Sequence, residues 1–347
     1  MLRIMSHTPV LNLTLKMIYK PRKNLEIHIG DQSFRHPFGI AAGMDKTARC
    51  LKGWDTIGAS FVEIGGITQY GQDGNPKPRM FRSHQHKALI NRMGFNNLGA
   101  DEMQRRLSHH FKRFGKPSIP IWANLGKSKI TSLEDAHLDY SYTMERLWDY
   151  CDAFVINVSS PNTPQLRELQ HDASLVRILE ACQSVNHSKS TSTDRKKPLF
   201  VKIAPDMDLN FLENVLRVSQ DNGLSGIVIS NTTTSRPEID ESEPLFDEIG
   251  GLSGSPLKDQ STQMIRHAYK ITKGTFPIVG VGGVMNALDA IEKIRAGASL
   301  IQAYSGFVFE GPSLTKNVVY GLHTYMREHN IQHFKDLIGS EHQVHER

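Results

Sequence analysis

The sequence predicts a closed (β/α)8 barrel, the TIM barrel, with a short N-terminal helical extension; a doubly wound open sheet is the alternative. Eight short apolar runs recur along the 347 residues, and each is nearly continuous in apolar residues. That pattern is typical of parallel strands buried on both faces. Helix-like stretches occur between them at 209–220, 261–272 and 287–296. The predicted strands are Phe38–Gly43, Phe61–Gly66, Ile119–Gly126, Ala153–Ser160, Leu199–Pro205, Gly226–Thr232, Pro277–Gly283 and Leu300–Gly306.

The first element is an amphipathic helix predicted at Pro9–Lys20. Apolar side chains fall within one wide arc, polar ones lie opposite, and basic residues follow. This favours a helix at an anionic membrane surface, with a helix packed on the barrel as the alternative. Residues 1–30 are therefore assigned to this extension and 31–347 to the barrel. The arc holds Val10, Leu11, Leu13, Leu15, Met17 and Ile18; Asn12, Lys16, Tyr19 and Lys20 lie opposite; Lys20, Arg22 and Lys23 supply the charge.

Polar or glycine-rich residues follow most of the predicted strands, at the carboxyl ends where barrel enzymes build their active sites. After the fourth strand comes Asn157–Thr163, in which Pro161 ends the strand because it has no N–H to donate. The amides and hydroxyls of this segment either form a turn or face a ligand. Their place at a strand mouth favours the ligand. The other such ends are Ala41–Lys46, Asn124–Lys127, Ser230–Thr234, Gly280–Gly283 and Tyr304–Gly306.

Glycine turns after the seventh and eighth strands, Gly280–Gly283 and Tyr304–Gly306, each precede a helix-like run. Backbone N–H groups at such turns bind anions, and barrels often hold a phosphate there. Lys202 lies inside an apolar strand, where a lysine is costly unless it is paired or functional. A cation there would stabilise negative charge on a reduced flavin ring. A carboxylate partner or a position at the barrel rim is the alternative.

Asparagines recur near the strand ends, at Asn91, Asn96, Asn124, Asn157, Asn162 and Asn231. An amide both donates and accepts hydrogen bonds, so a ring of amides suits a flat heterocycle such as a pyrimidine. Individually, each asparagine is more often a turn former or a cap.

Two segments interrupt the β/α rhythm. Asn186–Lys197 is rich in Ser, Thr and Lys and is predicted to be a mobile surface loop. Arg236–Glu248 is acidic, carries two prolines and is predicted to be an excursion from the barrel.

The composition is that of an ordinary globular protein, 39% hydrophobic and 22% charged. A formal charge of +5 is mild and spread out, which argues against a nucleic-acid partner and fits an anionic ligand or membrane surface. Cys50, Cys151 and Cys182 show no zinc-ligand spacing, so no metal site is predicted, and buried inert thiols are expected. No apolar run reaches the roughly 20 residues that span a bilayer, which predicts a soluble or peripheral protein.

Taken together, these segments resemble the dihydroorotate dehydrogenases, and among them the membrane-associated class that uses a quinone. The resemblance covers nearly the whole chain, from about Phe38 to His323, and its motifs are specific in combination. They are Ala42–Lys46, Lys77–Arg82, Asn91–Asn96, Asn157–Thr163, Gly250–Gly254, Gly280–Gly283 and Tyr304–Gly306.

The resemblance implies FMN in the barrel mouth and oxidation of dihydroorotate to orotate in pyrimidine biosynthesis. Ser160 matches the catalytic base, where the soluble classes carry cysteine, and Thr163 and Phe95 match the proton route. The residues expected to hold FMN are Ala42, Gly43, Met44, Asp45, Lys46, Gly66, Asn124, Asn157, Lys202, Ser230, Gly254, Gly282, Gly283, Tyr304 and Ser305. Those expected to hold the substrate are Lys46, Asn91, Arg92, Met93, Gly94, Phe95, Asn157, Asn162, Asn231 and Thr232.

Ubiquinone or menaquinone is the expected electron acceptor, with Arg82, Tyr304 and His7 beside it. The expected protein is a monomer with peripheral membrane contact, at the cytoplasmic face of a bacterial inner membrane or at the mitochondrial inner membrane. The quinone class usually begins with two helices, so a single one predicts an incomplete quinone pocket. Three residues depart from the family pattern: Gln165 where glycine is common, and Gly66 and Ser230 where threonine is common.

Two other functions remain open on the sequence. One is an FMN barrel oxidoreductase with a different substrate, against which Ser160 between two asparagines argues. The other is a phosphate- or flavin-binding barrel without activity, against which the intact polar strand ends argue.

Overall fold

The computed structural model describes residues 9–163, 165–191, 195–236 and 244–342. Eight parallel strands close into a barrel and follow one another around it in chain order, and the last pairs with the first. The prediction of a closed barrel is therefore confirmed, and each of the eight predicted strands is present. The barrel strands are β3 (Phe38–Asp45), β4 (Val62–Ile67), β9 (Ile121–Leu125), β10 (Ala153–Asn157), β11 (Leu199–Ile203), β12 (Gly226–Ile229), β14 (Ile278–Val281) and β15 (Leu300–Ala303).

Helices surround the barrel, and the three predicted helical stretches are all helical. The 287–296 prediction matches its helix at both ends, whereas the 261–272 helix begins three residues earlier, at Lys258. The helices are α1 (Pro9–Tyr19), α2 (Leu51–Thr56), α3 (Ala100–Phe114), α4 (Ala136–Leu147), α5 (Asp172–Ser190), α6 (Leu209–Asp221), α7 (Lys258–Thr272), α8 (Ala287–Ala296), α9 (Ser305–Glu310) and α10 (Leu314–Glu328).

An aromatic cluster fills the amino-terminal end of the barrel. Trp122 stacks on Phe200 with ring centroids 4.6 Å apart, and its centroid lies 4.8 Å from that of Phe61. Phe34 contacts both Phe61 and Trp122 from the hairpin formed by β1 (Ile27–Ile29) and β2 (Gln32–Phe34). The barrel interior is therefore packed with side chains at this end, and it opens into a cleft at the opposite, carboxyl end. The hairpin spans residue 30, the expected boundary between the extension and the barrel.

Short antiparallel strands add to the loops beyond the barrel. The sheet of β6 (Met80–Ser83), β7 (Ala88–Asn91) and β13 (Gly251–Gly254) pairs Gly251 with Asn91. A second pair is formed by β5 (Tyr70–Gln72) and β8 (Asn97–Gly99). The first sheet joins three of the predicted motifs, Lys77–Arg82, Asn91–Asn96 and Gly250–Gly254, the last from far along the chain.

Helix α1 packs on α2 through a narrow face and leaves its apolar arc exposed. Asn12 is buried and donates to Thr56 Oγ1 at 2.7 Å. On the other side, Leu13 and Met17 are 65% and 64% exposed. The helix therefore contacts α2, as the second alternative expects, and also presents apolar side chains outward. Within the described ranges, no helix is both long enough and apolar enough to cross a membrane.

The predicted loop at 186–197 is wrong in its first part, because α5 continues to Ser190. Its polar side chains are satisfied locally: Asn186 donates to the Lys197 carbonyl at 3.0 Å and accepts from the Lys197 N–H at 2.9 Å. In the second irregular segment, Arg236 donates to the carbonyls of Phe246 and Gly250. Residues 192–194 and 237–243 lie outside the described residues, as does His7.

The expectation for the cysteines holds at two of three positions. Cys151 and Cys182 are fully buried, and burial raises the pKa of each thiol to about 12. Cys50 is half-buried at the start of α2.

Candidate active site

One cleft collects the polar strand ends at the carboxyl end of the barrel. Its empty volume is about 1050 Å³, including the part open to solvent. Predicted residues from all eight barrel strands or the segments just after them, and from the β6–β7–β13 sheet, line it together. They are Ala42, Gly43, Lys46, Gly66, Asn91, Met93, Gly94, Phe95, Asn124, Asn157, Ser160, Asn162, Lys202, Ser230, Asn231, Thr232, Gly254, Gly282, Gly283, Tyr304 and Ser305.

Five predicted site residues do not line the cleft: Met44, Asp45, Arg82, Arg92 and Thr163. The Asp45 carboxylate turns inward and accepts from the backbone N–H groups of Arg49 and Cys50 at the start of α2, both at 2.8 Å. Its negative charge is used to hold unpaired N–H groups of a helix start, so it is not free to meet a ligand.

The two arginines are also engaged elsewhere. Arg92 forms an ion pair with Glu248 at 2.5 Å and lies 4.5 Å from the Phe81 ring centroid. Arg82 is exposed and lies 5.8 Å from the Phe309 ring centroid. Both side chains therefore stabilise the loops around the cleft.

Ser160 lies at the mouth of β10 and faces the cleft, with only 8% of its surface exposed. Its Oγ accepts from the Asn162 N–H at 3.3 Å. Thr163 is also buried, and its Oγ1 has no partner among the described residues. A threonine hydroxyl without a partner can bind a water or take part in proton transfer.

Hydrogen bonds between side-chain amides tie the asparagines into two groups. Asn157 donates to Asn124 Oδ1 at 2.9 Å, and Asn231 donates to Asn157 Oδ1 at 3.2 Å. At the rim, Asn162 donates to Asn91 Oδ1 at 3.2 Å. These bonds fix the planes of five amides around one cavity, which the sequence could only suggest.

Lys46 places a positive charge at the cleft. Its Nζ donates to Asn96 Oδ1 at 2.5 Å. Burial, and then the Arg79 guanidinium, lower the pKa of Lys46 to about 8. The ammonium is therefore the main form at neutral pH and can bind a carboxylate.

The glycine turns after β14 and β15 pack against each other and against α7. A Cβ at Gly306 would lie 2.2 Å from the Val284 carbonyl oxygen, and one at Gly283 would lie 2.5 Å from Lys258 Cβ. Gly282 and Gly283 have φ angles of 125° and 71°, which glycine adopts without strain. Both turns approach this closely only because they carry glycine, and their backbone N–H groups suit an anion.

Two polar residues that the sequence reading missed lie inside the barrel. Glu63 is fully buried and accepts from Asn124 Nδ2 and Gln302 Nε2, both at 2.6 Å. Gln302 lines the cleft, and its Oε1 has no partner among the described residues. Glu63 and Gln302 could have been found in the sequence because each is a polar residue within an apolar strand, as Lys202 is.

The residues present fit a flavin phosphate ester. Lys202 is buried and lines the cleft, and its ammonium forms no hydrogen bond with the described residues; burial lowers its pKa, and Glu63 opposes that shift. A polar ring edge would satisfy Lys202 and the free Gln302 oxygen. The glycine turns supply a cradle for the phosphate.

A space for the Phe95 ring explains one departure from the expected pattern. A Cβ at Gly66 would lie 2.6 Å from Phe95 Cε1, and one at Gly126 would lie 3.0 Å from its Cζ. The ring therefore occupies the space of a side chain at position 66. Gln165, the other departure, has a left-handed φ of 57°, a conformation that glycine adopts at no cost.

Residues 24–326 match the model of the family described as "Dihydroorotate dehydrogenase". The chain belongs to the dihydroorotate dehydrogenase family. A relative from Synechococcus sp. (strain JA-2-3B'a(2-13)), named dihydroorotate dehydrogenase (quinone), is 45% identical over 86% of this chain and 79% of its own length. One of the same name from Gloeobacter violaceus is 44% identical over 92% and 86%. The predicted resemblance to the quinone-dependent members is confirmed.

Solved structures agree with this assignment. The crystal structure of DHODH in complex with ferulenol from Eimeria tenella matches with a TM-score of 0.86 and 35% identity, over 96% of this chain and 94% of that one. The ligand-free structure from the same organism matches with the same TM-score and identity. The family is enzymatic, so the expectation of an oxidoreductase rather than an inactive binding barrel is confirmed.

Proposed function

We propose that this enzyme oxidises dihydroorotate to orotate, with FMN as hydride acceptor, a membrane quinone as final electron acceptor and Ser160 as general base. The observation that carries the proposal is the position of Ser160. It lies at the mouth of β10 in a cleft that also contains the amide ring and both glycine turns. The names of the relatives supply the substrate and the acceptor.

In this proposal Gly282, Gly283 and the residues at the start of α9 would hold the phosphate of FMN, whose ring would supply the hydride acceptor. Lys202 and Gln302 line the floor of the same cleft. The Lys202 ammonium would stabilise negative charge at the polar edge of the ring. Gly43 has a φ of 94°, and a Cβ at this position would lie 3.2 Å from the Tyr304 ring.

Dihydroorotate would lie between the ring and the asparagines. Asn91, Asn162 and Asn231 offer donors and acceptors to the pyrimidine, and Lys46 offers a cation to the carboxylate. Ser160 Oγ would take the C5 proton while hydride leaves C6. A serine hydroxyl is a weak base, so it has to pass its own proton onward in the transition state. Thr163 Oγ1, with no partner among the described residues, would accept it through a water.

The exposed apolar arc of α1 is the proposed contact with the membrane, from which the quinone enters. Leu11, Leu13, Met17 and Ile18 are all exposed on it, whereas Lys16 and Lys20 on the opposite side pair with Asp55 of α2. Such a helix lies at a bilayer surface with its apolar side chains inserted. The protein is then a peripheral membrane protein, as the names of its quinone-using relatives suggest.

Anaerobic titration of the purified protein tests this function. We expect a yellow protein whose flavin absorbance bleaches on adding dihydroorotate and returns on adding a short-chain ubiquinone or menaquinone. Dihydrouracil, which lacks the carboxylate that Lys46 would bind, is the matched control and is expected to bleach it far less. A colourless protein, or one bleached by dihydrouracil and not by dihydroorotate, would contradict the proposal.

A further inference from the structure

We infer that Glu63 is a positioning residue that sets the direction of four amides around the cleft, those of Asn124, Asn157, Asn231 and Gln302; this rests on the proposed function. Glu63 does not line the cleft and therefore does not touch the ligands. It lies on β4 inside the barrel, with its side chain fully buried. Its influence passes through the side chains that it holds.

A carboxylate only accepts hydrogen bonds, so an amide facing it presents its nitrogen. Asn124 does so from β9 and Gln302 from β15, each at 2.6 Å from one Glu63 oxygen. The amide oxygens of both residues consequently point away from Glu63. For Gln302 that leaves Oε1 without a partner among the described residues at the cleft, ready for a ligand N–H.

The direction set at Asn124 is passed along the chain of amides. Because Asn124 offers its oxygen, Asn157 presents Nδ2 to it at 2.9 Å. Asn157 Oδ1 then accepts from Asn231 Nδ2 at 3.2 Å and from Ser159 Oγ at 2.9 Å. Asn231 Oδ1 finally accepts from the Thr232 N–H at 2.8 Å. Three amides, on two neighbouring strands and the segment after β12, thus share one orientation that begins at a buried carboxylate.

Replacing the carboxylate with an amide disturbs this order. In Glu63→Gln, the new oxygen can face only one of the two donors, and the new NH₂ group faces the other. The second amide must then turn over or lose its bond. If Asn124 turns, its Nδ2 meets Asn157 Nδ2, donor against donor; if Asn157 then turns as well, its Nδ2 meets Asn231 Nδ2. We expect the dissociation constant of orotate to rise by about tenfold, the effect of losing one good charged hydrogen bond.

Exchanging the residues at positions 63 and 302 tests whether Glu63 acts by orienting the amides or whether a glutamate is required at position 63 for another reason. In the double variant Glu63→Gln/Gln302→Glu, the amide introduced at position 63 donates to the carboxylate introduced at position 302. The oxygen of that new amide is left to accept from Asn124, which restores the direction. Gln302→Glu alone places two carboxylates together and is expected to weaken binding. Orotate binding to the purified holoenzyme is measured by calorimetry for the wild type, both single variants and the double variant, and thermal unfolding is recorded for each.

We expect both single variants to bind orotate more weakly and to unfold at lower temperature, and the double variant to recover most of both losses. An unaltered orotate dissociation constant in Glu63→Gln, or no recovery in the double variant, overturns the inference. If the wild type binds no orotate, the proposed function fails. The unfolding temperatures then decide the inference, with recovery in the double variant supporting it and lack of recovery overturning it.

Discussion

Arg167 and Asp206 form an ion pair at 2.9 Å behind the loop that carries Ser160. The same guanidinium donates to the carbonyl of Ser159 at 3.3 Å and to that of Thr232 at 3.2 Å. Asp206 also accepts from the backbone N–H of Thr234 at 2.9 Å. One partly buried pair thus ties the segment after β10 to the segment after β12, and both segments contribute cleft residues.

Breaking this pair is expected to slow the reaction without releasing the cofactor. Arg167 does not line the cleft, so Arg167→Ala should keep its FMN content. Losing charged hydrogen bonds worth about 1.5–3 kcal/mol leaves Ser160 less well positioned, and we expect flavin reduction to slow by about tenfold or more. Anaerobic stopped-flow with dihydroorotate measures this. Arg217→Ala, which removes an arginine paired with Asp221 on the surface of α6, is the matched control and should leave the rate unchanged.

Substrate binding is expected to weaken as the pH rises through about 8. The pKa of Lys46 is lowered to about 8, so the cation is present below that pH and is lost above it. The KM for dihydroorotate should therefore be flat at lower pH and rise above pH 8, by up to about tenfold per pH unit. Lys46→Arg keeps its charge and should flatten this rise, whereas Lys46→Met should show a high KM throughout. A wild-type KM that stays constant from pH 7 to 10 would rule out this role.

The exposed arc of α1 should govern membrane contact and quinone reduction, and not flavin reduction. Leu13→Glu/Met17→Glu places two charges on side chains that are 65% and 64% exposed, so folding is expected to be unaffected. We expect loss of co-sedimentation with anionic vesicles and slower reduction of a long-chain quinone, with dihydroorotate still bleaching the flavin. Leu288→Glu, on a similarly exposed leucine of α8, is the control. If Leu13→Glu/Met17→Glu binds vesicles as well as Leu288→Glu does, α1 is excluded as the membrane contact.

The strands and the motifs at their ends could be predicted because apolar runs and breaks in them are local features. Lys202 could be singled out on the same ground. Glu63 carried the same signal, yet its meaning depends on Asn124 and Gln302, which reach it from other strands. Asp45 was expected to face the cleft because it lies in a site motif, but the motif does not determine which way the carboxylate turns, and it turns towards the start of α2. Side-chain direction and long-range pairing, as at Arg167, arise only once the barrel has closed.

Flavin reduction in Ser160→Ala tests the central claim most directly. The removed hydroxyl faces the cleft and its loss creates little space, so the variant is expected to fold and retain FMN. Ser159→Ala is the neighbouring control, because Ser159 Oγ bonds to Asn157 within the amide chain and does not line the cleft. In anaerobic stopped-flow with saturating dihydroorotate, we predict that Ser160→Ala slows reduction by roughly 10²–10⁴-fold, the usual contribution of a general base, and far more than Ser159→Ala does. A Ser160→Ala enzyme that is reduced at the wild-type rate would contradict the account.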